Sequence, residues 1–149
     1  MIRARLKTEI TTATIELSMG LFVISFKPDV VVDQVQAQRA EMARRELLPG
    51  SEGPVLVLIP RDAALVEREA LEWWGSEDAM KGVAARAVVV PSSIDVLRDR
   101  IRWALFRPSV NYRAFRNPQI AKGWVLNTWY EESVGEVIDA MDAHNVRPL

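Results

Sequence analysis

The sequence predicts an α/β fold with a largely parallel sheet. Two apolar runs, VLVLI at 55–59 and ARAVVVP at 85–91, are short and bounded by glycine or proline, which is typical of strands buried on both faces. Amphipathic segments with helical spacing lie between such runs, so strands and helices alternate along the chain. Consecutive strand–helix–strand units predict right-handed crossovers and helices on the faces of the sheet.

The chain opens with a predicted β-hairpin. Ile15 and Leu17 alternate with polar neighbours, which is the pattern of a half-buried strand. Ser18-Met19-Gly20 supplies the turn, and the apolar run from Leu21 leads into the second strand. We therefore expect a hairpin to begin the sheet.

The first helix is predicted after the hairpin, over the segment DQVQAQRAEMARRELLPG. Asp33 stands at its N-cap position, and Pro49-Gly50 ends it. Val35, Met42 and Leu47 have the spacing of one helix face. We expect this face to contact the sheet.

A second helix is predicted over 63–74, after the buried strand at 55–59. Its apolar side chains share one face, so the adjacent tryptophans are expected in the core, and its charged side is expected to be solvated. The apolar face comprises Val66, Ala70, Trp73 and Trp74, and the charged side comprises Arg68, Glu69 and Glu72.

A short helix over 76–82 and a last strand over 111–115 are predicted around the second buried run. Between that run and the last strand we expect another helix, because Ser92 with Asp95 three residues later forms a capping box. The core stripe of this helix comprises Ile94, Leu97, Ile101 and Leu105.

The C-terminal part of the chain is predicted as two helices. Asn117 followed by Pro118 supplies an N-cap and a first helical residue for a helix through Trp124. Thr128 and Glu131 form a further capping box, which predicts a separate C-terminal helix over about 128–143. Its apolar face comprises Tyr130, Val134, Val137, Ile138 and Met141.

Composition limits the classes of function. A chain of 149 residues with 49% apolar and 26% charged residues suits one domain over 1–149. The sequence has no cysteine, and its one histidine is His144 near the C-terminus, so we predict no metal site and no cofactor. It also has no Gly-rich phosphate loop and no GxSxG motif. We therefore predict that the protein is not an enzyme and has no catalytic residues.

Charge and hydropathy predict a cytoplasmic protein that neither binds nucleic acid nor inserts into membranes. The formal net charge is −1, so the whole molecule has no electrostatic attraction to nucleic acid. Seven arginines lie in 86–116 and five acids in 131–142, which is typical of two solvated surfaces of opposite sign. The N-terminus lacks the apolar core of a signal peptide, and the apolar runs are too short to span a bilayer.

Several motifs resemble those of small bacterial proteins with a STAS-like fold, relatives in shape of the anti-anti-sigma factors. These motifs are FKPDVVVD after the hairpin, EAxxxW after the central strand, RAVVV before Ser-Ser, FRP at a helix end, and Phe115 with AxxW at 121–124. The resemblance covers about 10–127 and leaves the C-terminal helix as an addition. It implies a single STAS-like domain, with a mixed, mostly parallel sheet opened by a hairpin and helices packed on the sheet.

The resemblance also implies where a regulatory contact would lie. Anti-anti-sigma factors carry a phosphoacceptor serine in the turn after the central strand, where a phosphate adds negative charge and releases a partner. Here that turn corresponds to Glu67-Arg68-Glu69-Ala70, which has no serine. Arg68 and Glu69 are therefore candidate interaction residues for a protein partner of regulatory type.

Trp103 and Val96 are further candidate interaction residues. Both lie on the side of the predicted helix from Ile94 opposite its core stripe, where water is expected. A large exposed aromatic residue beside an apolar neighbour suggests a contact surface, and another copy of the chain is the expected partner. The alternative is that the C-terminal helix covers Trp103.

Carriage of a small apolar ligand is the second function that we consider. The strand–helix winding is similar in architecture to that of CRAL-TRIO lipid-transfer domains, and the chain has five tryptophans. Trp73, Trp74 and Trp124 are the candidate lining of an apolar pocket. The favoured hypothesis is nevertheless a non-enzymatic regulatory or protein-interaction domain that forms a homodimer.

Overall fold

The computed structural model describes residues 6–91 and 111–145. Its architecture is a six-stranded mixed sheet with helices on both faces and a separate two-stranded parallel ladder. In chain order the described elements are β1 (Leu6–Glu9), β2 (Ala13–Ser18), β3 (Leu21–Phe26), β4 (Val31–Val32), α1 (Gln34–Leu47), β5 (Gly53–Leu58), β6 (Leu65–Val66), α2 (Arg68–Trp74), α3 (Glu77–Met80), β7 (Val83–Val89), β8 (Tyr112–Phe115) and α4 (Pro118–Asn145).

The strand order confirms the predicted fold class. The main sheet has the order β1-β2-β3-β5-β7-β8, and its last four strands pair in parallel. Strands β1, β2 and β3 pair antiparallel, so the predicted hairpin of β2 and β3 does open the parallel part. Strand β1 extends the hairpin at the edge and was not predicted, because LKTE offers a short pattern with one apolar residue.

The backbone of the hairpin turn adopts the positive φ angles of a tight two-residue turn. Met19 and Gly20 both have positive φ, 53° and 82°, which is typical of two-residue turns whose twist matches that of the flanking strands. A Cβ atom at Gly20 would lie 3.4 Å from the ring of Trp129, so the turn also contacts helix α4. The turn thus joins the hairpin to the C-terminal helix.

The sheet separates two apolar clusters. Strand residues alternate between the faces, so that Phe22, Val57 and Val88 belong to one cluster, whereas Leu21 and Leu56 belong to the other. We call these the α1–α3 face and the α4 face after the helices that cover them. Both faces are buried, which explains the continuous apolar run of β5.

Helix α1 begins as predicted but turns a different side to the sheet. The Asp33 carboxylate accepts a hydrogen bond from the Gln36 N–H, so Asp33 is the N-cap. Of the predicted inner face, Leu47 packs against the core, but Val35 and Met42 are 51% and 59% exposed. The prediction was wrong because the inner side combines small residues with an ion pair; it comprises Ala37, Ala40, Glu41 and Arg44.

Helix α2 begins at Arg68, later than predicted. Leu65 and Val66 pair with β4 instead of starting the helix. The short helix α3 is confirmed, with Ser76 as its N-cap. The helix predicted from Ser92 lies outside the described residues.

Helix α4 is one continuous helix, which corrects the prediction of two. Asn117 caps it through hydrogen bonds from the N–H groups of Gln119 and Ile120, as expected. Thr128 and Glu131 lie inside the helix, so their capping-box pattern does not start a new one. The single domain over 1–149 stays a prediction, and its proposed internal boundary near 127 falls within α4.

Candidate functional site

The carboxyl ends of β3 and β5 are covered by the β4–β6 ladder. The backbone N–H of Asp29 donates to the Asp62 carbonyl at 2.9 Å, and that of Ala64 donates to the Val30 carbonyl at 2.9 Å. The pairing of Val31 with Leu65 continues the same connection. Two loops that follow neighbouring strands are therefore joined into one hydrogen-bonded layer.

The ladder presents apolar side chains to solvent beside charged ones. Val31 and Leu65 are 42% and 52% exposed, whereas the next residue of β4, Val32, is fully buried beneath them. Arg68 and Glu69 follow Leu65 at the start of α2, and both are exposed. We define Val31, Leu65, Arg68 and Glu69 as the ladder surface.

Arg68 is held in place at the beginning of α2. Its Nε atom donates to the Glu72 carboxylate at 2.7 Å, one helical turn later. Exposed ion pairs of this kind add little stability, about 0.3–0.5 kcal/mol. Residues four positions apart share one side of a helix, so Glu72 can pair with Arg68 and orient its guanidinium group on the ladder surface.

Strands β3, β5 and β7 have no switch point between them of the kind that binds ligands in open α/β sheets. Such switch points occur where the strand order reverses and neighbouring connections leave on opposite faces. Strands β3, β5 and β7 follow one another in order, and α1, α2 and α3 all pack on one face. The connections that follow β3 and β5 therefore leave the sheet on the same face.

The tryptophans proposed to line an apolar pocket are separated by the sheet. Trp74 is fully buried on the α1–α3 face, where its ring meets the edge of Phe26 at 5.8 Å between centroids. Trp73 is half-buried on the same face. Trp124 lies on the α4 face, 5.5 Å from the ring of Phe115. The three cannot line one pocket, because a layer of strands lies between them.

The candidate interaction residues Val96 and Trp103 lie outside the described residues. Within the described ranges, no group of three or more histidine, aspartate or glutamate side chains could hold a metal ion. Among the described helices, none has the length and apolar character needed to cross a bilayer.

A buried ionic cluster lies on the α1–α3 face, and sequence reasoning missed it. Glu41 accepts from Arg44 at 2.7 and 2.8 Å, from Arg86 at 2.7 Å, and from Arg45 at 3.1 Å. Glu41, Arg44 and Arg86 are each at most 1% exposed. Arg86 also donates to the Trp74 carbonyl at 2.7 Å, which ties strand β7 to the end of α2.

The pKa values in this cluster follow from burial and from charge. Burial alone would raise the pKa of Glu41, but the hydrogen bond from Arg44 and the charges of the three arginines hold it below its ordinary value. Burial lowers the pKa of Arg86, and Glu41 opposes that shift. The Glu41 carboxylate thus accepts hydrogen bonds from three guanidinium groups.

A signal for this cluster was present in the sequence. Arg86 interrupts an otherwise apolar strand and alternates with Val88 and Val90, which both face the α1–α3 cluster. An arginine at an inward position of a buried strand requires a carboxylate partner. The sequence does not indicate that this partner is Glu41, because the two residues lie on different elements.

The far half of α4 carries a second exposed apolar stripe. From Tyr130 onward, the described side chains of the helix are exposed, and the stripe repeats at helical spacing. It comprises Tyr130, Val134, Ile138 and Met141, which are 36% to 66% exposed. The apolar face predicted for the C-terminal helix therefore exists but does not contact the sheet at these positions.

Comparisons with known proteins give a similarity in fold to a solved structure. No family model matches the sequence, and no curated protein matches it. A solved structure that is similar to this chain is an uncharacterised protein of the DUF3478 family from Shewanella loihica PV-4, described as having a SpoIIAA-like fold. The two are 13% identical with a TM-score of 0.48, over 84% of this chain and 98% of that one.

Proposed function

We propose that the protein is a non-enzymatic STAS-like domain that acts by protein–protein contact through the ladder surface. The observation that carries this proposal is the β4–β6 ladder, which covers the carboxyl ends of β3 and β5 and exposes Val31 and Leu65 beside Arg68 and Glu69. Exposed apolar groups rimmed by charged ones are typical of interaction sites. A cytoplasmic location is part of the proposal.

The geometry favours a protein partner over a small molecule at this edge. Small-molecule sites are concave and bury most of the ligand surface. The ladder offers exposed side chains at this edge, since Val31 and Leu65 are solvated while Val32 is fully buried. Hydrogen bonds between the two loops also fix the ladder before any partner arrives, which lowers the entropy cost of association.

The residues at the start of α2 support a regulator that does not depend on phosphorylation. Glu67-Arg68-Glu69-Ala70 has no hydroxyl group at the place where the resembling family carries its phosphoacceptor serine. Arg68 and Glu69 instead supply fixed charges of both signs. We infer that binding at this surface is constitutive, and that it is not switched by phosphate addition to α2.

Capture of binding partners tests the ladder surface. A Leu65→Glu, Arg68→Glu double variant is compared with the wild type and with Ile120→Glu, a control at a 61% exposed position on α4. Each serves as bait in lysate of the source organism, and the bound proteins are quantified by mass spectrometry. We expect at least one protein that the wild type and the control retain equally and that the double variant loses. The same protein set on all three baits would contradict the proposal.

Homodimerisation completes the proposed function. The exposed stripe on α4 is the described surface that supports it, since apolar residues at helical spacing suit pairing with a second helix. Exposed Glu131 and Asp139 lie near the stripe, so pairing of two copies brings like charges together. We therefore expect added salt to strengthen the dimer, because salt screens this repulsion.

Native mass spectrometry of the purified protein measures the dimer directly. We expect a species of twice 16.8 kDa for the wild type. Ile138→Glu and Trp103→Glu then separate the α4 stripe from the interface that the sequence predicts, with Ile120→Glu as the matched control. The variant that yields a monomer identifies the interface. A wild-type protein that is monomeric at micromolar concentration would refute dimerisation.

A further inference from the structure

A solvent-open cleft lies at the end of β5 opposite the ladder surface. Its volume is about 410 Å³, and it is bounded by the last turn of α1, the loop before β5 and the loop before β7. This volume lies within the range of small-molecule sites, about 300–1,000 Å³. The charged and polar side chains that line it are those of Arg44, Arg45, Ser51, Glu52 and Lys81.

The buried ionic cluster behind the cleft has more positive charge than negative. Arg44, Arg45 and Arg86 all donate to the single carboxylate of Glu41. Two of these arginines, Arg44 and Arg86, are almost fully removed from water. Uncompensated charge in such a place is costly, so the cluster favours an additional anion nearby.

Arg44 belongs both to the buried ionic cluster and to the lining of the cleft. Its Nε and Nη2 atoms are held by Glu41, and Arg44 is one of the residues that line the cleft. The ring of Phe22 lies 5.0 Å from its guanidinium carbon and fixes the plane of the group. A donor with a fixed orientation loses little entropy when an acceptor binds.

Two further cations, Arg45 and Lys81, complete the lining. Arg45 is held to the α3 region by a hydrogen bond to the Asp78 carbonyl at 2.7 Å, and its side chain is 43% exposed. The Lys81 side chain is 72% exposed, and its nearest carboxylate, on Asp78, lies 3.9 Å away. The Lys81 side chain can therefore turn its charge toward a ligand, whereas the guanidinium group of Arg45 is already held by Glu41 and by the Asp78 carbonyl.

The negative charges near the cleft are smaller in sum than the positive ones. Glu52 also lines the cleft and contributes one negative charge, and the C-terminal end of α1 contributes about half a charge of the same sign. Counted once each, the four cations Arg44, Arg45, Arg86 and Lys81 exceed the three carboxylates of Glu41, Glu52 and Asp78 and the helix end by about half a charge. The net field in the cleft is therefore positive.

We propose that this cleft binds the phosphate group of a small molecule. A phosphate carries up to two negative charges and three acceptor oxygens, which suits a fixed arginine donor flanked by an arginine and a lysine. The site lies at the opposite end of β5 from the ladder surface, so a ligand here and a protein partner there do not compete for the same residues.

Nuclear magnetic resonance titration of the full chain tests the proposal, with inorganic phosphate and pyrophosphate as probes. Sodium chloride at matched ionic strength is the reference, and acetate tests whether any carboxylate suffices. We expect saturable shifts of the amide signals of Gly50, Ser51 and Gly82 with phosphate or pyrophosphate. The signals of Arg68 and Leu65 on the ladder surface should not move.

Variants of exposed residues assign the binding to the cleft. Arg45→Gln with Lys81→Gln should weaken binding about tenfold or more, because each substitution removes a charge-assisted hydrogen bond. Arg39→Gln, an exposed substitution on α1 that does not line the cleft, should leave binding unchanged. Glu52→Gln should tighten binding, an effect that loss of folding cannot imitate.

Three results would overturn the proposal. These are shifts that do not saturate, equal binding by the wild type and the double variant, and an acetate response as large as the phosphate response. Weaker binding by Glu52→Gln would also contradict it, since removal of the one lining carboxylate must raise the affinity for an anion.

Discussion

The two faces of the sheet are stabilised by different interiors. The α1–α3 face contains the fully buried Trp74 and the Glu41–Arg44–Arg86 cluster. The α4 face contains alanines of strand and helix that are completely buried, among them Ala87 and Ala121. One face therefore depends on the pairing of charges, and the other on small side chains that let a helix lie against the sheet.

This difference shows how a single sheet tolerates two kinds of change. A buried charge network fails when one member is removed, because the remaining charges lose their partner. A layer of small residues fails when volume is added, because the interior is already close-packed. Substitutions that are harmless on one face are therefore expected to be damaging on the other.

The largest expected effect is that of Glu41→Gln. It leaves Arg44 and Arg86 buried without a counter-charge, and such a loss costs about 3–5 kcal/mol of unfolding free energy. Urea denaturation followed by tryptophan fluorescence measures it. Glu46→Gln, an exposed substitution on the same helix, should change stability by about 0.5 kcal/mol or less. Equal stability of the two variants would contradict a structural role for the cluster.

An intermediate effect is expected for Ala87→Leu on the α4 face. Ala87 is completely buried, so the larger side chain must displace α4 and should cost about 1–3 kcal/mol. The same denaturation assay applies, with Ala64→Leu at an exposed position as the matched control. If Ala87→Leu were as stable as its control, the α4 face would have to be loosely packed.

The smallest expected effect is the pH dependence that Glu41 confers. Its pKa in the folded protein is held below the ordinary value of 4.5, so its contribution to stability is present above that value. That contribution is lost as the pH falls through the folded pKa, because the unfolded chain takes up the proton first. The difference in unfolding free energy between wild type and Glu41→Gln should therefore shrink below about pH 4.5. The exposed Glu9–Lys27 pair is common to both proteins and cancels in this difference. A difference that stays constant from pH 7 to pH 3 would contradict the assignment.

The elements that sequence reasoning predicted correctly are those whose signals are local. The hairpin turn at Met19-Gly20, the Asp33 cap and the buried run of β5 each depend on residues next to one another in the chain. Propensity, capping and alternation act over such distances, so they could be recognised without any tertiary contact.

The features that were missed depend on contacts between distant segments. The inner side of α1 could not be chosen from spacing alone, because Glu41 is buried only through its pairing with Arg86 of β7. The β4–β6 ladder has strands of two residues, too short to produce a pattern. Thr128 and Glu131 matched a capping box, yet no proline or glycine between Trp124 and Thr128 stops the helix.

The role of the candidate interaction residues stays a prediction. Arg68 and Glu69 were chosen from the resemblance, and the structure places both beside the exposed Leu65. The tryptophan pocket was wrong, because helical spacing does not reveal on which face of a sheet a helix lies. Val96 and Trp103 fall outside the described residues, so their role in a dimer stays a prediction.

The far half of α4 has a consequence for how the protein opens. Helix segments that bury little apolar surface open locally at a much lower free energy than the global unfolding of the domain. The segment from Tyr130 to Asn145 has exposed side chains at its described apolar positions, and Gly135 within it costs helix stability, about 1 kcal/mol relative to alanine. Its amide hydrogens should therefore exchange with solvent faster than those of Ala121 and Val125, which are anchored on the sheet. Association along this segment would slow that exchange. The exchange rate of these amides therefore measures whether a second copy or another partner is bound to the helix.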